Sequence, residues 1–281
     1  RFPAAAPNEH VSQSAITNGV LALETELGVD LFKRLPHGVS LTADGEEFVR
    51  HARHILDSVK GASFLPRLRD KALRGKVRIA ASYTLLGYFL PDLLARFRAT
   101  YPDVEIDLYD MERAEIQDAV LEERVDLGVV ILSNITGAKR FGQAVLLRSR
   151  RQLWVSPTHP LAEKTSLSLR DITQYPYILL TSDEGERSAL QYWRAKGIEP
   201  NIGFRTSSIE AVRGLVAHTF GVTILSDMVF RPWSLEGKQI EARPIEDTVP
   251  HMDAGIIWHP GQTLSKPAET FQQFMLHAYG H

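Results

Sequence analysis

From residue 77 to residue 258, apolar runs of strand length alternate with segments of helical apolar spacing, which restricts the chain to a few α/β plans. Residues 77–81 read as a strand, 85–100 as a helix stopped before Pro102, and 104–109 as a second strand. A helix over 114–123 leads to residues 125–131, an apolar run suited to a central strand. That unit is β-α-β-α-β. A second set follows, with strands at 153–155, 177–180, 202–205 and 222–225 and helices at 188–195 and 209–218. Two such sets imply two α/β lobes.

The 281 residues, 44% of them hydrophobic, are enough for two or three domains. The net charge is −2, and the first 74 residues carry ten Lys or Arg against nine Asp or Glu, a weak electrostatic footprint for nucleic acid. Zero cysteines exclude disulfides and thiolate chemistry. No apolar run reaches membrane-spanning length, and no secretory segment is expected at the amino end. Neither G-x-S-x-G, H-E-x-x-H, G-x-x-x-x-G-K-[ST] nor G-x-G-x-x-G occurs. His51 and His54 lie three apart without a nearby carboxylate or thiol, so they read as a solvated face. Asp183, Glu184 and Glu186 read as a solvated turn, lacking a partner for acid-base work. No catalytic residue, metal or cofactor is expected.

Ahead of the α/β region, residues 11–28 join a helix start to groups that suit DNA. Ser12 can act as N-cap, and Ala15, Ile16, Val20, Leu23 and Leu27 recur as an apolar stripe. Ser12, Gln13, Ser14, Thr17 and Asn18 cluster in the first turns, where small hydroxyls and amides suit phosphate and base-edge contacts in a major groove. A further stripe, Phe48, Ala52, Ile55, Val59 and Ala62, marks a helix over 46–70 with one face in want of a partner.

The N-terminal segment resembles the winged helix-turn-helix of LysR-type transcriptional regulators. Phe2, Ala5 and Ala6 match the second helix. Residues 11–15 open the recognition helix, and Leu23, Glu24, Leu27 and Gly28 close it. Residues 31–34 and 38–45 match the wing and the entry to a linker helix. Because Phe2 already falls in the second helix, the first is expected to be missing, and Pro3 and Pro7 are expected to shorten or displace the second. The resemblance implies a fold that is α/β with an N-terminal all-α winged helix-turn-helix. A long linker helix joins it to an effector module of two α/β lobes resembling a type 2 periplasmic binding protein. The expected domains are residues 1–42 for DNA binding, 43–74 for the linker and dimerisation helix with hinge, and 75–281 for effector binding. Lobe I would take about 75–149 and 251–281, including a strand over 254–258 and a helix over 266–277, and lobe II about 150–250. Expected DNA contacts are Ser12, Gln13, Ser14, Thr17, Asn18, Arg34 and His37. Expected partners are double-stranded promoter DNA, a second copy in a homodimer or homotetramer, and RNA polymerase if the protein activates. A bacterial cytoplasmic location follows, with no membrane partner.

Ligands of such α/β modules bind outside the carboxyl ends of the strands. That rule selects Ser82, Tyr83 and Thr84 after the first strand, Arg113 after the second and Ser133 with Asn134 after the third. In the other lobe it selects Thr181 and Ser182, then Ser207 and Ser208 before a helix, with His218 as a further cleft candidate. Hydroxyls, free N–H groups and a guanidinium suit a small carboxylate. The resemblance adds that the family places a ligand-contacting hydroxyl at the position of Thr84. Each Ser or Thr is equally an ordinary N-cap. Tyr83, Tyr88 and Phe89 suggest an aromatic acid, although the rings could be core. Two rival readings are a solute-binding protein for a small anion and a regulator whose DNA-binding half has decayed.

Overall fold

The computed structural model describes residues 13–35, 38–42, 44–45, 48–49, 51–52, 55 and 73–279. The chain divides into two compact units, residues 1–69 and 70–281.

In the first unit, α1 (Gln13–Leu27) ends at Gly28, whose φ of 70° is left-handed and costs glycine little. A two-stranded antiparallel hairpin follows, β1 (Phe32–Leu35) with β2 (Gly38–Leu41). One side chain joins helix to hairpin: the Glu24 carboxylate accepts the N–H groups of Leu31 and Phe32 at 2.8 and 3.0 Å. Thr42 closes the far side, donating its hydroxyl to the Asp30 carbonyl at 2.6 Å and accepting the Gly45 N–H at 2.9 Å. A Cβ on Gly45 would stand 2.0 Å from the Leu31 carbonyl oxygen, so this approach requires glycine. Ile16, Val20 and Leu23 of the apolar stripe are partly buried, whereas Ala15 and Leu27 are exposed. Phe48 and Ala52 are partly buried and Ile55 is exposed. Ser12, His37, Val59 and Ala62, like the whole expected second helix, lie outside the described residues.

The second unit runs β3 (Gly75–Ala81), α2 (Tyr83–Tyr88), α3 (Leu90–Thr100), β4 (Val104–Asp110), α4 (Arg113–Leu121), β5 (Leu127–Ile131), β6 (Gly142–Ser149), β7 (Arg151–Val155), α5 (Pro160–Glu163), α6 (Leu169–Ile172), β8 (Tyr177–Leu180), α7 (Gly185–Ala195), β9 (Ile202–Thr206), α8 (Ile209–Ala217), β10 (Thr223–Ser226), β11 (Glu241–Arg243), β12 (Met252–Trp258) and α9 (Lys266–Tyr279). A five-stranded sheet has the order β4-β3-β5-β12-β6. Its β3 is parallel to β4 and β5, and β12 is antiparallel to β5 and β6. A second set of strands comprises β10-β7-β11 and the parallel pair β8-β9, joined by a bridge between Tyr177 and Val222. The chain passes from the first sheet to the second between Ser149 and Arg151 and returns between Arg243 and Met252.

Each sheet has its own core. Ile116, Val120, Val130 and Ile257 fill one side of the first sheet. In the second lobe Tyr177, Leu153 and Trp193 pack on one side, and Trp154, Ile209 and Val212 on the other. The helix expected over 85–100 is two helices that break at Phe89. Pro91 explains the break: it lacks an N–H and clashes with the carbonyl four residues back, but is at home in a helix's first turn. β6 and β11 are further strands, and residue 125 lies outside β5.

Candidate effector cleft and nucleic-acid interface

The C-terminal ends of β3 and β5 and the N-terminus of α2 face the loop that follows β8. Ser82 is buried at the turn out of β3. Its N–H donates to the Val129 carbonyl at 3.2 Å, and its hydroxyl has no partner among the described residues. The Thr84 N–H donates to the Asp183 carboxylate at 2.8 Å, and the Asn134 side-chain amide donates to the Asp183 carbonyl at 2.8 Å. Arg113 forms a forked contact with Glu184, with Nε at 2.6 Å and Nη2 at 2.5 Å from one carboxylate oxygen. Arg187 pairs with the same Glu184 and also donates to the Asn134 carbonyl at 3.2 Å. Residues 183 and 184 therefore form an acidic strap between the lobes rather than the solvated turn expected of them. The sequence reading failed here because the partners across the cleft, Thr84, Arg113 and Asn134, lie 99, 71 and 49 residues away in the chain.

The strap holds an unfavourable backbone. Asp183 and Glu184 sit at φ 50° and 59°, left-handed values that cost a side-chain-bearing residue about 1–2 kcal/mol. A second contact between the lobes lies beside it. The Tyr88 hydroxyl donates to Glu210 at 2.7 Å, and Glu210 also pairs with the buried Arg213. Burial opposes ionisation of Glu210, yet hydrogen bonds from Arg213 and Tyr88 outweigh it and leave the carboxyl below its ordinary value.

Between the lobes lies a cavity of about 50 Å³. Thr84, Ile131 and Asn134 line it from the first lobe, and Arg151, Ser182 and Tyr192 are among its lining in the second. The Thr84 hydroxyl makes no hydrogen bond among the described residues.

Of the effector residues selected from sequence, Thr84 and Ser182 reach the cavity, while Arg113 is held by the strap. Ser133 and Ser207 are exposed, away from the lining. Ser208 is the N-cap of α8, its hydroxyl accepting the Ala211 N–H at 3.1 Å. Thr181 is partly buried, its N–H directed to the Thr206 carbonyl at 2.9 Å. His218 sits at the C-terminal end of α8, opposite the end that approaches the cleft, and its exposed ring contacts Lys238. Tyr83, Tyr88 and Phe89 do not line the cavity; Phe89 is core, its ring tilted against that of Tyr279 at 4.8 Å. Asn134, chosen with Ser133, also lines the cavity, as does Asp183, which the sequence reading took for part of a solvated turn; sequence reasoning passed over Arg151. Arg151 escaped because it opens a strand, whereas the rule used searches where strands end.

In the first unit, Ser14, Thr17 and Asn18 lie in the first two turns of α1, with Ser14 and Asn18 exposed. Gln13 opens that helix, and Arg34 lies in the hairpin strand β1.

Residues 70–280 match the LysR substrate binding domain, and residues 1–46 match the bacterial regulatory helix-turn-helix protein family of lysR type. The chain belongs to the LysR family of transcriptional regulators. Among its relatives is an uncharacterised HTH-type transcriptional regulator of Methanocaldococcus jannaschii, 29% identical over 261 residues, covering 91% of this chain and 84% of the relative. The crystal structure of HinK, a LysR family transcriptional regulator from Pseudomonas aeruginosa, superposes with a TM-score of 0.68 at 26% identity. That match covers 99% of this chain and 93% of HinK. The effector binding domain of QuiR in complex with shikimate shares the fold, with a TM-score of 0.63 at 20% identity over 74% of this regulator and 98% of that domain. The regulator is thus a transcription factor with a helix-turn-helix and an effector-binding domain, not an enzyme. Among the described residues, no helix is long and apolar enough to cross a membrane.

Proposed function

We propose that this LysR regulator binds promoter DNA as a homodimer or homotetramer and answers to a small organic acid held between its two lobes. The observation that carries the reading is the cavity itself: Thr84 and Asn134 from one lobe meet Ser182 and Arg151 from the other around an otherwise largely apolar lining. The effector binding domain of QuiR, of the same fold, is known in complex with shikimate, a small acid. The α2 N-terminus already holds a carboxylate in this structure, that of Asp183, so its amide geometry suits an acid. At about 50 Å³ the closed cavity fits a small ligand, and larger acids require the lobes to part.

Residues 1–42 are assigned to DNA binding, 43–74 to the linker and dimerisation, and 75–281 to effector binding, with lobe II over about 150–250. On DNA, Ser12, Gln13, Ser14, Thr17 and Asn18 would enter the major groove, with Arg34 and His37 reaching the backbone from the wing. A dimer presents two such helices to paired half-sites roughly 34 Å apart. RNA polymerase is a further partner if the protein activates. Action on a promoter places it in the bacterial cytoplasm.

Calorimetric titration with a panel of small organic acids tests the cleft. Thr84→Val removes the unused hydroxyl and should weaken a panel acid about tenfold while leaving the fold intact. Undiminished affinity in Thr84→Val would reject the cleft assignment.

A further inference from the structure

Arg151 is the first residue of β7, placed where the chain has just crossed from one lobe to the other. Its guanidinium donates to the Ser188 hydroxyl at 2.8 Å and to the Pro250 carbonyl at 3.1 Å, and it lies 5.9 Å above the ring of the buried Tyr192. All three partners are neutral, and Arg151 has no carboxylate partner among the described residues. Arg151 is partly buried, whereas Arg213, fully buried in the same lobe, is paired with Glu210. A guanidinium carries five N–H donors, and a charge held in low dielectric is costly unless it is matched by an opposite one. Partial desolvation lowers the pKa of Arg151.

The surroundings supply the rest of a site. Arg151 lines the cavity between the lobes together with Ser182, Ser188 and Tyr192. The Ser182 hydroxyl is buried there with no hydrogen-bond partner among the described residues. Among the described residues, a cation lacking a carboxylate partner and a hydroxyl lacking a hydrogen bond line one cavity. The Pro250 carbonyl adds a link to the hinge, because it belongs to the strand of chain that returns to the first lobe just ahead of β12. Arg151 thereby ties both crossings of the hinge together.

We propose that Arg151 and Ser182 form the carboxylate-binding subsite of this regulator's cleft, and that occupation of Arg151 bears on the hinge through Pro250. The inference rests on the cleft reading above and names where the acid's charge goes. The cavity of about 50 Å³ matches a carboxylate of two or three carbons in the closed arrangement, on the basis of roughly 10–15 Å³ per water-sized group.

The test uses the full chain with acetate and propionate as probes, and acetamide and propionamide as neutral counterparts, at constant ionic strength. Intrinsic fluorescence reports binding, since Trp193 stacks on Tyr192 at 6.1 Å. Acetate or propionate should give a saturable change that the amides do not. Arg151→Met should weaken it about tenfold or more, and Arg151→Lys should retain part of it, in keeping with a charge-assisted contact. Ser182→Ala guards against misfolding of the arginine variants and should weaken binding severalfold with an unchanged melting temperature. No carboxylate-specific response in the wild type, or equal responses in wild type, Arg151→Met and Ser182→Ala, overturns the subsite. A response reduced by Thr84→Val but not by Arg151→Met overturns the subsite and leaves the cleft reading standing. A response reduced by none of these variants overturns both.

Discussion

Asp183 places a carboxylate on the Thr84 amide, so the protein's own side chain occupies a donor that a bound acid would use. Asparagine tolerates the left-handed backbone at this position and carries no charge. Asp183→Asn should therefore raise the affinity for a cleft-binding acid by about threefold to tenfold, as expected when one charged competitor is removed. Calorimetry on the variant checks this, and a loss of affinity would mean that Asp183 supports the ligand rather than competing with it. A different carboxylate carries a pH prediction. Asp171 is held at about 2 by Lys164 and by hydrogen bonds from Ser168, below its ordinary value of 3.8. A depressed carboxyl stabilises the fold above the unfolded value and loses that contribution as pH falls through the folded one. Asp171→Asn should then be less stable than wild type at pH 5, with the gap narrowing between about pH 4 and pH 2. Urea midpoints across that range measure it. At this scale the sequence revealed the hydroxyls well, since Thr84 and Ser182 follow strand ends. It concealed the charges: Arg113 and Glu184 meet across the cleft, and no local pattern records that meeting.

Elements were legible wherever apolar periodicity was strong and local. β5 is buried along its whole length and reads as an apolar run, while β3, β4 and α4 follow from the alternation and spacing of their apolar residues. β6 was hidden because it lies at a sheet edge, mixes exposed and buried residues, and owes its pairing to β12 about a hundred residues later. A proline inside an otherwise helical run was the readable warning for the break between α2 and α3. The helix starts also separate caps from ligand groups. Ser208 caps α8, so Ser208→Ala should cost about 1 kcal/mol. In a unit of this size that lowers the melting temperature by roughly 2–4 °C. Acid binding should be unchanged, and a tenfold loss of affinity would instead make Ser208 a ligand group.

For the molecule as a whole, two lobes share two crossings, an acidic strap and a Tyr88–Glu210 contact. These contacts define one arrangement of the lobes. An acid that binds the parted arrangement better shifts the population toward it by no more than its differential affinity. The plan of a helix-turn-helix followed by two α/β lobes was readable from patterning together with the family resemblance. Charge alone did not announce DNA, because the first 74 residues are nearly balanced. The most direct test of the central claim is retention of genomic fragments by the full chain at about 50 mM and 200 mM salt, a step over which non-specific binding falls steeply. The account predicts that a few promoter fragments stay bound through the step and that Gln13→Ala together with Asn18→Ala releases them. Uniform loss of all fragments with salt, or no retention at either concentration, would contradict it.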